Sequence, residues 1–261
     1  MKRYMQYWQW DFRLFKDHPQ SSMKNIVVTL FFALPSLLWG QSAETKAKSK
    51  FSIGVTLTPE YDHRHLGRGD LSVNVADWNE YKWLNDSLSH WKPGFSAGVD
   101  IGYNVNENLQ INSGLYFSNR GYGIRPYPAI SYTPPFLSQY SYRHIFQFLD
   151  VPLKLSYTVG KKKTKFYISG GIVGNILISA TSYRTLENSI DRTTIDKYDV
   201  EGKNLNFSYY GGIGITYSVT NQSSISIEPC FKYSGSSLDN LGDRDLRLWS
   251  LGASLSYRVH I

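Results

Sequence analysis

Within residues 247–261, the run from Trp249 to Ile261 alternates without a break. Trp249, Leu251, Ala253, Leu255, Tyr257, Val259 and Ile261 are separated by Ser250, Gly252, Ser254, Ser256, Arg258 and His260. A period of two marks a strand with one apolar and one polar face. Seven more stretches read the same way: residues 51–61, 95–105, 109–122, 143–159, 165–182, 207–219 and 224–233. The fifth is the least regular, because Gly170, Gly171 and Gly174 blur its alternation and make that glycine run the expected site of a bulge or kink. Tyr103, Tyr157, Tyr217 and Tyr257 each stand two residues before a valine near the end of a run. Four tyrosines at one depth suit a membrane interface, which takes a phenol with its ring in an apolar layer and its hydroxyl in water.

The connections alternate too. Short turns follow the second, fourth and sixth strands, and longer segments (62–92, 123–142, 183–206 and 234–244) fill the other end. Eight strands with this alternation predict an all-β fold: an eight-stranded antiparallel up-and-down transmembrane β-barrel with short periplasmic turns and longer extracellular loops. The apolar faces then carry two aromatic girdles. Phe51, Tyr103, Tyr157, Phe166, Tyr217 and Tyr257 form the periplasmic one, and Tyr61, Phe95, Phe117, Phe207, Tyr233 and Trp249 the outer one. The rival is a soluble barrel with its apolar face turned inward around a ligand. The polar faces argue against it, since they are rich in Gly, Ser and Thr, which suit a crowded interior, whereas a solvated exterior favours Lys and Glu.

Ahead of the strands, Met23-Lys24-Asn25 opens a basic region, and residues 26–39 follow as an apolar run broken by Pro35. That is the pattern of a secretory signal peptide, too short to span a membrane as a helix. Its position predicts that translation starts at Met23, with cleavage after Gly40. The expected organisation is residues 1–22 as an untranslated or unstructured extension, 23–40 as signal peptide, 41–50 as linker and 51–261 as barrel. The net charge is +7, and removing the five Lys or Arg and two Asp of residues 1–40 lowers it to +4. That charge is too small and dispersed to indicate nucleic acid. The single cysteine, Cys230, excludes an internal disulfide.

Three segments resemble a known family. Phe148-Leu149-Asp150-Val151-Pro152-Leu153-Lys154, Ile227-Glu228-Pro229 with Lys232-Tyr233, and Gly211-Gly212-Ile213-Gly214 are similar to motifs of the outer-membrane β-barrel domain family of Bacteroidota, the PorT-like and OmpA-like eight-stranded barrels. The resemblance runs from about Phe51 to the end. Residues 250–257 also resemble the C-terminal signal read by the barrel-assembly machinery, with Ile261 where an aromatic is usual. The partners implied are outer-membrane lipid, that machinery during insertion, and an envelope protein met through the extracellular loops.

Six charged residues fall on inward phases: Asp100, Asp150, Lys154, Glu228, Lys232 and Arg258. Buried charges need opposite partners, so they are expected to pair across the lumen. The set reads either as a narrow ion path or as a structural network plugging the barrel, and the small interior of an eight-stranded barrel favours the plug. His63 and His65 with Asp62 and Asp70 are metal-ligand types in one segment, but a solvated cluster explains them as well. Trp78, Trp83 and Trp91 suggest either an adhesive surface or packing among loops. His260 shares a face with Ser256 and Ser254, but no acidic residue is placed to orient it as a base. The expectation is therefore a non-enzymatic barrel without metal or cofactor.

Overall fold

The computed structural model describes residues 50–69, 75–128, 139–160, 163–187, 193–238 and 244–261. The expected extension and signal peptide, and the linker up to residue 49, lie outside the described residues. Eight long strands form the body: β1 (Phe51–Arg68), β3 (Lys92–Asn104), β4 (Leu109–Pro128), β5 (Gln139–Val159), β6 (Thr164–Glu187), β8 (Leu205–Ser218), β9 (Ser223–Ser234) and β10 (Arg244–His260). Helix α1 (Val75–Leu88), β2 (Ser89–His90) and β7 (Thr193–Asp199) lie in segments where the hydropathy pattern gave only loop.

Every strand pairing is antiparallel, and the ring closes. β1 pairs with β3 on one side, from Phe51 opposite Tyr103 to Asp62 opposite Lys92, and with β10 on the other, from Ser52 opposite His260 to Arg68 opposite Arg244. The other long strands each hydrogen-bond to both of their chain neighbours in the ring. The last residue returns to the first strand, where Ile261 N–H donates to the Phe51 carbonyl at 2.9 Å. Both ends of the barrel chain therefore lie at the end of the short turns. There Asn106 Oδ1 accepts from the N–H groups of Asn108 and Leu109, at 2.9 and 2.8 Å. Gly160 opens the β5–β6 turn at φ +123°, a conformation other residues rarely adopt.

Burial inverts the rule for water-soluble proteins. Ser52, Thr56, Thr58, Glu60, Asp100, Asn112, Asp150, Asn175, Ser226 and Glu228 are all buried, while Ile53, Leu57, Val99, Leu153, Ile168, Ile213 and Leu255 are exposed. One face of each strand looks out at hydrocarbon and the other into a polar interior, as expected of a membrane barrel.

The strands run further than the alternation suggested, and they do so unevenly. Beyond the start of β3, β1 and β10 continue together to Arg68 and Arg244. On the other side β4, β5, β6 and β7 continue as a four-stranded flap, with β2 added to the edge of β4. The irregularity in β6 is not at the glycines, since Gly170, Gly171 and Gly174 keep an unbroken register with Leu155, Lys154 and Val151. It lies higher, where Phe148 pairs with Leu177 and Gln147 with Ser179, leaving Ile178 as the extra residue. Below that bulge odd-numbered residues such as Val173 and Asn175 are buried; above it Ala180 and Ser182 are. The inserted residue switches the phase and keeps one face inward along the whole strand.

Candidate functional site: a filled lumen beneath an apolar vestibule

The lumen is built from the inward phase of each strand. Along the β1–β10 seam it is a ladder of hydroxyl contacts, Thr56 with Ser256 at 2.7 Å and Thr58 with Ser254 at 2.8 Å. Two steps higher, past Glu60 and Gly252, Asp62 accepts from Ser250 at 2.6 Å. The serines that sequence placed near His260 are thus bonded to threonines. Three ion pairs lie in the interior: Arg258 with Asp100 at 2.8 Å and Lys232 with Glu60 at 2.5 Å, each spanning an intervening strand, and Arg120 with Asp150 at 2.7 Å between adjacent β4 and β5. Asp150 also accepts from Ser118 and Asn175, at 2.9 and 2.6 Å.

The fourth acid is satisfied differently. Glu228 accepts from the phenols of Tyr167 and Tyr210, each at 2.9 Å, and from the Ser169 hydroxyl. Lys154 lies over the Tyr210 ring, 4.5 Å from its centre. Glycine makes this crowding feasible, since a Cβ on Gly212 would fall on the Glu228 carboxylate and one on Gly214 on the Tyr167 ring. Among these side chains lies a space of about 30 Å³, bordered by Thr56, Thr58, Ser96, Tyr116, Lys154 and Tyr210. That is room for one water.

All six charges read from sequence are inside, but only Asp100 and Arg258 pair within that set. Asp150 and Lys154 share a face of β5, as do Glu228 and Lys232 of β9, and neither couple forms an ion pair. Four residues along a strand are about 13 Å apart, whereas neighbours across the interior are within bonding distance. Glu60 and Arg120 supply the missing partners. Both lay on readable phases, Glu60 continuing Ser52, Thr56 and Thr58, and Arg120 continuing Asn112, Tyr116 and Ser118. Of the girdle residues, Tyr61, Phe95, Tyr103, Tyr157 and Tyr217 are exposed, and Phe117, Tyr233, Trp249 and Tyr257 are half-buried on the same outward phase. Phe51 and Tyr103 rings meet at 5.1 Å.

Above Asp150 and Arg120 the interior changes character. The next inward residues of β5 are Phe148 and Phe146, which join Tyr122, Ala180, Leu238 and Leu248 in a buried apolar cluster. Arg120 stands on the boundary, its charge on Asp150 below and its guanidinium 4.6 Å from the Phe148 ring centre above. Over this layer lies a cavity of about 400 Å³ lined by Leu66, Ile124, Phe146, Val200, Leu238 and Leu246, with Arg64, Asn85, Tyr122, His144, Tyr198, Asp199 and Glu201 completing it. A ladder of rings climbs its β4–β5 wall: Tyr122 against His144 at 4.6 Å, His144 against Tyr142 at 6.2 Å, and Tyr142 against Tyr127 at 6.2 Å. Burial, then the hydrogen bond with Tyr142, pushes the Tyr127 phenol up to about 12.

Helix α1 contributes Asn85 to the lining, and β2 pairs with the upper part of β4 beside it. Trp78 is buried against Tyr81, while Trp83 is exposed; Trp91 sits edge-on to Trp249 at 4.4 Å and 5.3 Å from His63, beside the outer girdle. The three tryptophans therefore form no common surface. His63 and His65 alternate in β1 with buried Asp62, which places them on the opposite face from it; Asp70 lies outside the described residues. Among the described residues no three metal-ligating side chains converge. His90 in β2 is half-buried, with its Nδ1 enclosed and unpartnered, and its pKa is lowered by burial first and then by Arg125 and His63.

A sequence model of the family described as "Outer membrane protein beta-barrel domain" matches residues 39–240. No curated protein matches the chain by sequence. Among solved structures, the outer membrane protein OprG of Pseudomonas aeruginosa is 9% identical over 82% of this chain and 98% of its own, with a TM-score of 0.43. The outer membrane protease OmpT of Escherichia coli is 10% identical over 84% of this chain and 100% of its own, TM-score 0.41. Neisserial surface protein A is 13% identical over 83% and 100%, TM-score 0.35. A protease stands beside proteins of other kinds in this set, so no activity carries over.

Proposed function

The chain belongs to the outer membrane protein beta-barrel domain family, which places it in the outer membrane of a Gram-negative cell, and we propose that it is a sealed, non-enzymatic member whose work is done at its extracellular mouth. The observation that carries this is the contrast between the membrane-level lumen, closed by three ion pairs and a phenol-bound carboxylate around room for a single water, and the open cavity above it. A lumen so filled offers no continuous path to ions. The role we propose is binding in the cell envelope, with the outer loops, including exposed Trp83, available to an envelope partner. The Phe148–Lys154 motif supports a place among the Bacteroidota barrels, and with it a secretion or envelope-upkeep complex.

Single-channel recording in planar bilayers tests the seal. The expected record is flat; steady openings would replace this reading with a passive pore. Lipid A and phospholipid composition should be unaltered on expression, and an alteration abolished by His260→Ala would make the chain a lipid-acting enzyme instead.

A further inference from the structure

The vestibule holds a cation in an unusual setting. Arg64 comes from the inward phase of β1, one step above Asp62, and only 6% of its surface is exposed. Its Nε donates to Ser89 at 3.3 Å, and one Nη to the carbonyl and the side-chain oxygen of Asn85 at 2.8 and 3.3 Å. Its guanidinium lies 4.8 Å from the Tyr122 ring centre. All these partners are neutral. No carboxylate lies within ion-pair distance of Arg64 among the described residues, and its Nη1 has no acceptor among them. Asp199 and Glu201, which also border the cavity, are solvent-exposed. In the lumen below, Arg120 and Arg258 each have a buried carboxylate. A buried guanidinium without a counter-charge is costly, and a carboxylate is the group its fork of donors fits best.

The surroundings specify the rest of the ligand. Arg64 borders a cavity whose other walls are mainly apolar, and whose volume of about 400 Å³ is in the roughly 300–1,000 Å³ range of small-molecule sites. We propose that the vestibule binds a single-chain acidic amphiphile, its carboxylate on Arg64 and its apolar body against Leu66, Tyr122, Phe146 and Leu246. This rests on the reading of the extracellular mouth as the binding region and adds the class of ligand. Two independent features point the same way: the unpaired charge selects the head, and the apolar lining selects the body.

The full chain in phosphatidylcholine nanodiscs is titrated calorimetrically with dodecanoate and with dodecanol, empty nanodiscs serving as blank. Dodecanoate should bind saturably at about one per barrel, with dodecanol at least about tenfold weaker, the scale of a charge-assisted hydrogen bond. Arg64→Met should weaken dodecanoate by at least about tenfold and leave dodecanol unchanged. Leu248→Glu guards against misfolding of that variant. Leu248 is the register partner of Arg64 across the β1–β10 seam, so a carboxylate there supplies an internal counter-charge and should abolish the preference for the acid in a folded barrel.

Equal affinity for the two probes, or wild-type dodecanoate binding by Arg64→Met or Leu248→Glu, would overturn the proposal. Nanodiscs containing phosphatidylglycerol separate a free acid from a membrane headgroup: unchanged dodecanoate affinity is expected, and a tenfold loss would assign the site to the lipid and sink the free-acid claim. Dodecanol binding without dodecanoate binding would sink the acidic ligand alone. Failure of both probes with a flat conductance record would sink the binding role while keeping the seal.

Discussion

The lower and upper parts of one interior solve the same problem in opposite ways. At membrane level the outside must be apolar, so the inside inherits the polar phase and fills with Ser, Thr and charged residues bonded to one another. Above that level no lipid constrains the outer face, and the inward phase reverts to Phe148, Phe146, Leu248 and Leu66, as in a water-soluble core. The lower part binds its carboxylates with three ion pairs and a set of hydroxyl donors; the upper part keeps a cavity and an Arg64 that no carboxylate neutralises. A polar interior is held by directional bonds that fix each partner, whereas apolar contacts tolerate a gap. The section that closes the membrane and the section able to accept a ligand therefore differ in the kind of force that fills them.

The contrast is most exposed to attack at Arg120, where the two regimes meet. Arg120→Met leaves Asp150 buried with only Ser118 and Asn175 as donors. Removing one partner of a buried pair costs about 3–5 kcal/mol, and the two remaining donors put the expected loss near 3. Urea unfolding in lipid vesicles measures it, and Arg120→Met combined with Asp150→Asn should recover most of the loss. A single-variant loss below about 1 kcal/mol would show that the lumen is not held by its pairs. Phe146→Ala should cost less, about 2–3 kcal/mol, at or below the low end for a buried aromatic because the ring already borders a cavity.

The sequence made the lower part legible because lipid enforces alternation. Residues 247–261 and the seven other runs mark strands at membrane level, and the inward phase held all six charges assigned to it. The upper part was hidden for the same reason. Past Tyr61, β1 reads Asp62-His63-Arg64-His65-Leu66, whose single apolar residue faces inward, so a pattern search for apolar residues facing outward stops there. Phe146 and Phe148 lie inside the expected fourth strand but on its polar phase, where they start a second core that outward alternation does not mark. The bulge at Ile178 moved the β6 phase by one without any glycine at the site. Helix α1 has a weak apolar stripe, as its exposed Leu84 and Trp83 show, and no alternation rule finds it.

A smaller effect tests how α1 and β2 close the vestibule. His90 is half-buried with its Nδ1 enclosed, and its folded pKa lies below the value of 6.5 it has when unfolded. The unfolded state therefore takes up a proton first as pH falls. The stability from neutral His90 is present above pH 6.5 and is lost as pH drops through the lowered folded value. The amide protection factors of Ser89, His90 and their β4 partners Gly123 and Ile124, each referred to the intrinsic exchange rate at that pH, should fall on acidification from pH 7 to 5, while those of Ser256 and Leu255 in the β1–β10 seam hold. His90→Phe should remove the pH dependence. An equal fall in both regions would mean that the barrel responds as one unit.

The smallest effect sets two ion pairs of similar chemistry side by side. Lys82 and Asp86 are one helical turn apart on α1, with side chains 36% and 42% exposed, whereas those of Arg120 and Asp150 are 2% and 3% exposed. Water screens the first pair and solvates each partner when the other is removed, so its contribution is that of an i,i+4 surface pair, about 0.3 kcal/mol. Lys82→Ala should leave urea unfolding unchanged within error and slightly raise amide exchange in α1. Because burial, not distance, is what makes the lumen pair matter, Lys82→Ala and Arg120→Met should differ about tenfold in free energy. Comparable losses would mean that the vestibule wall is as tightly coupled as the lumen, and the division between a sealed lower section and an adaptable upper one would fail.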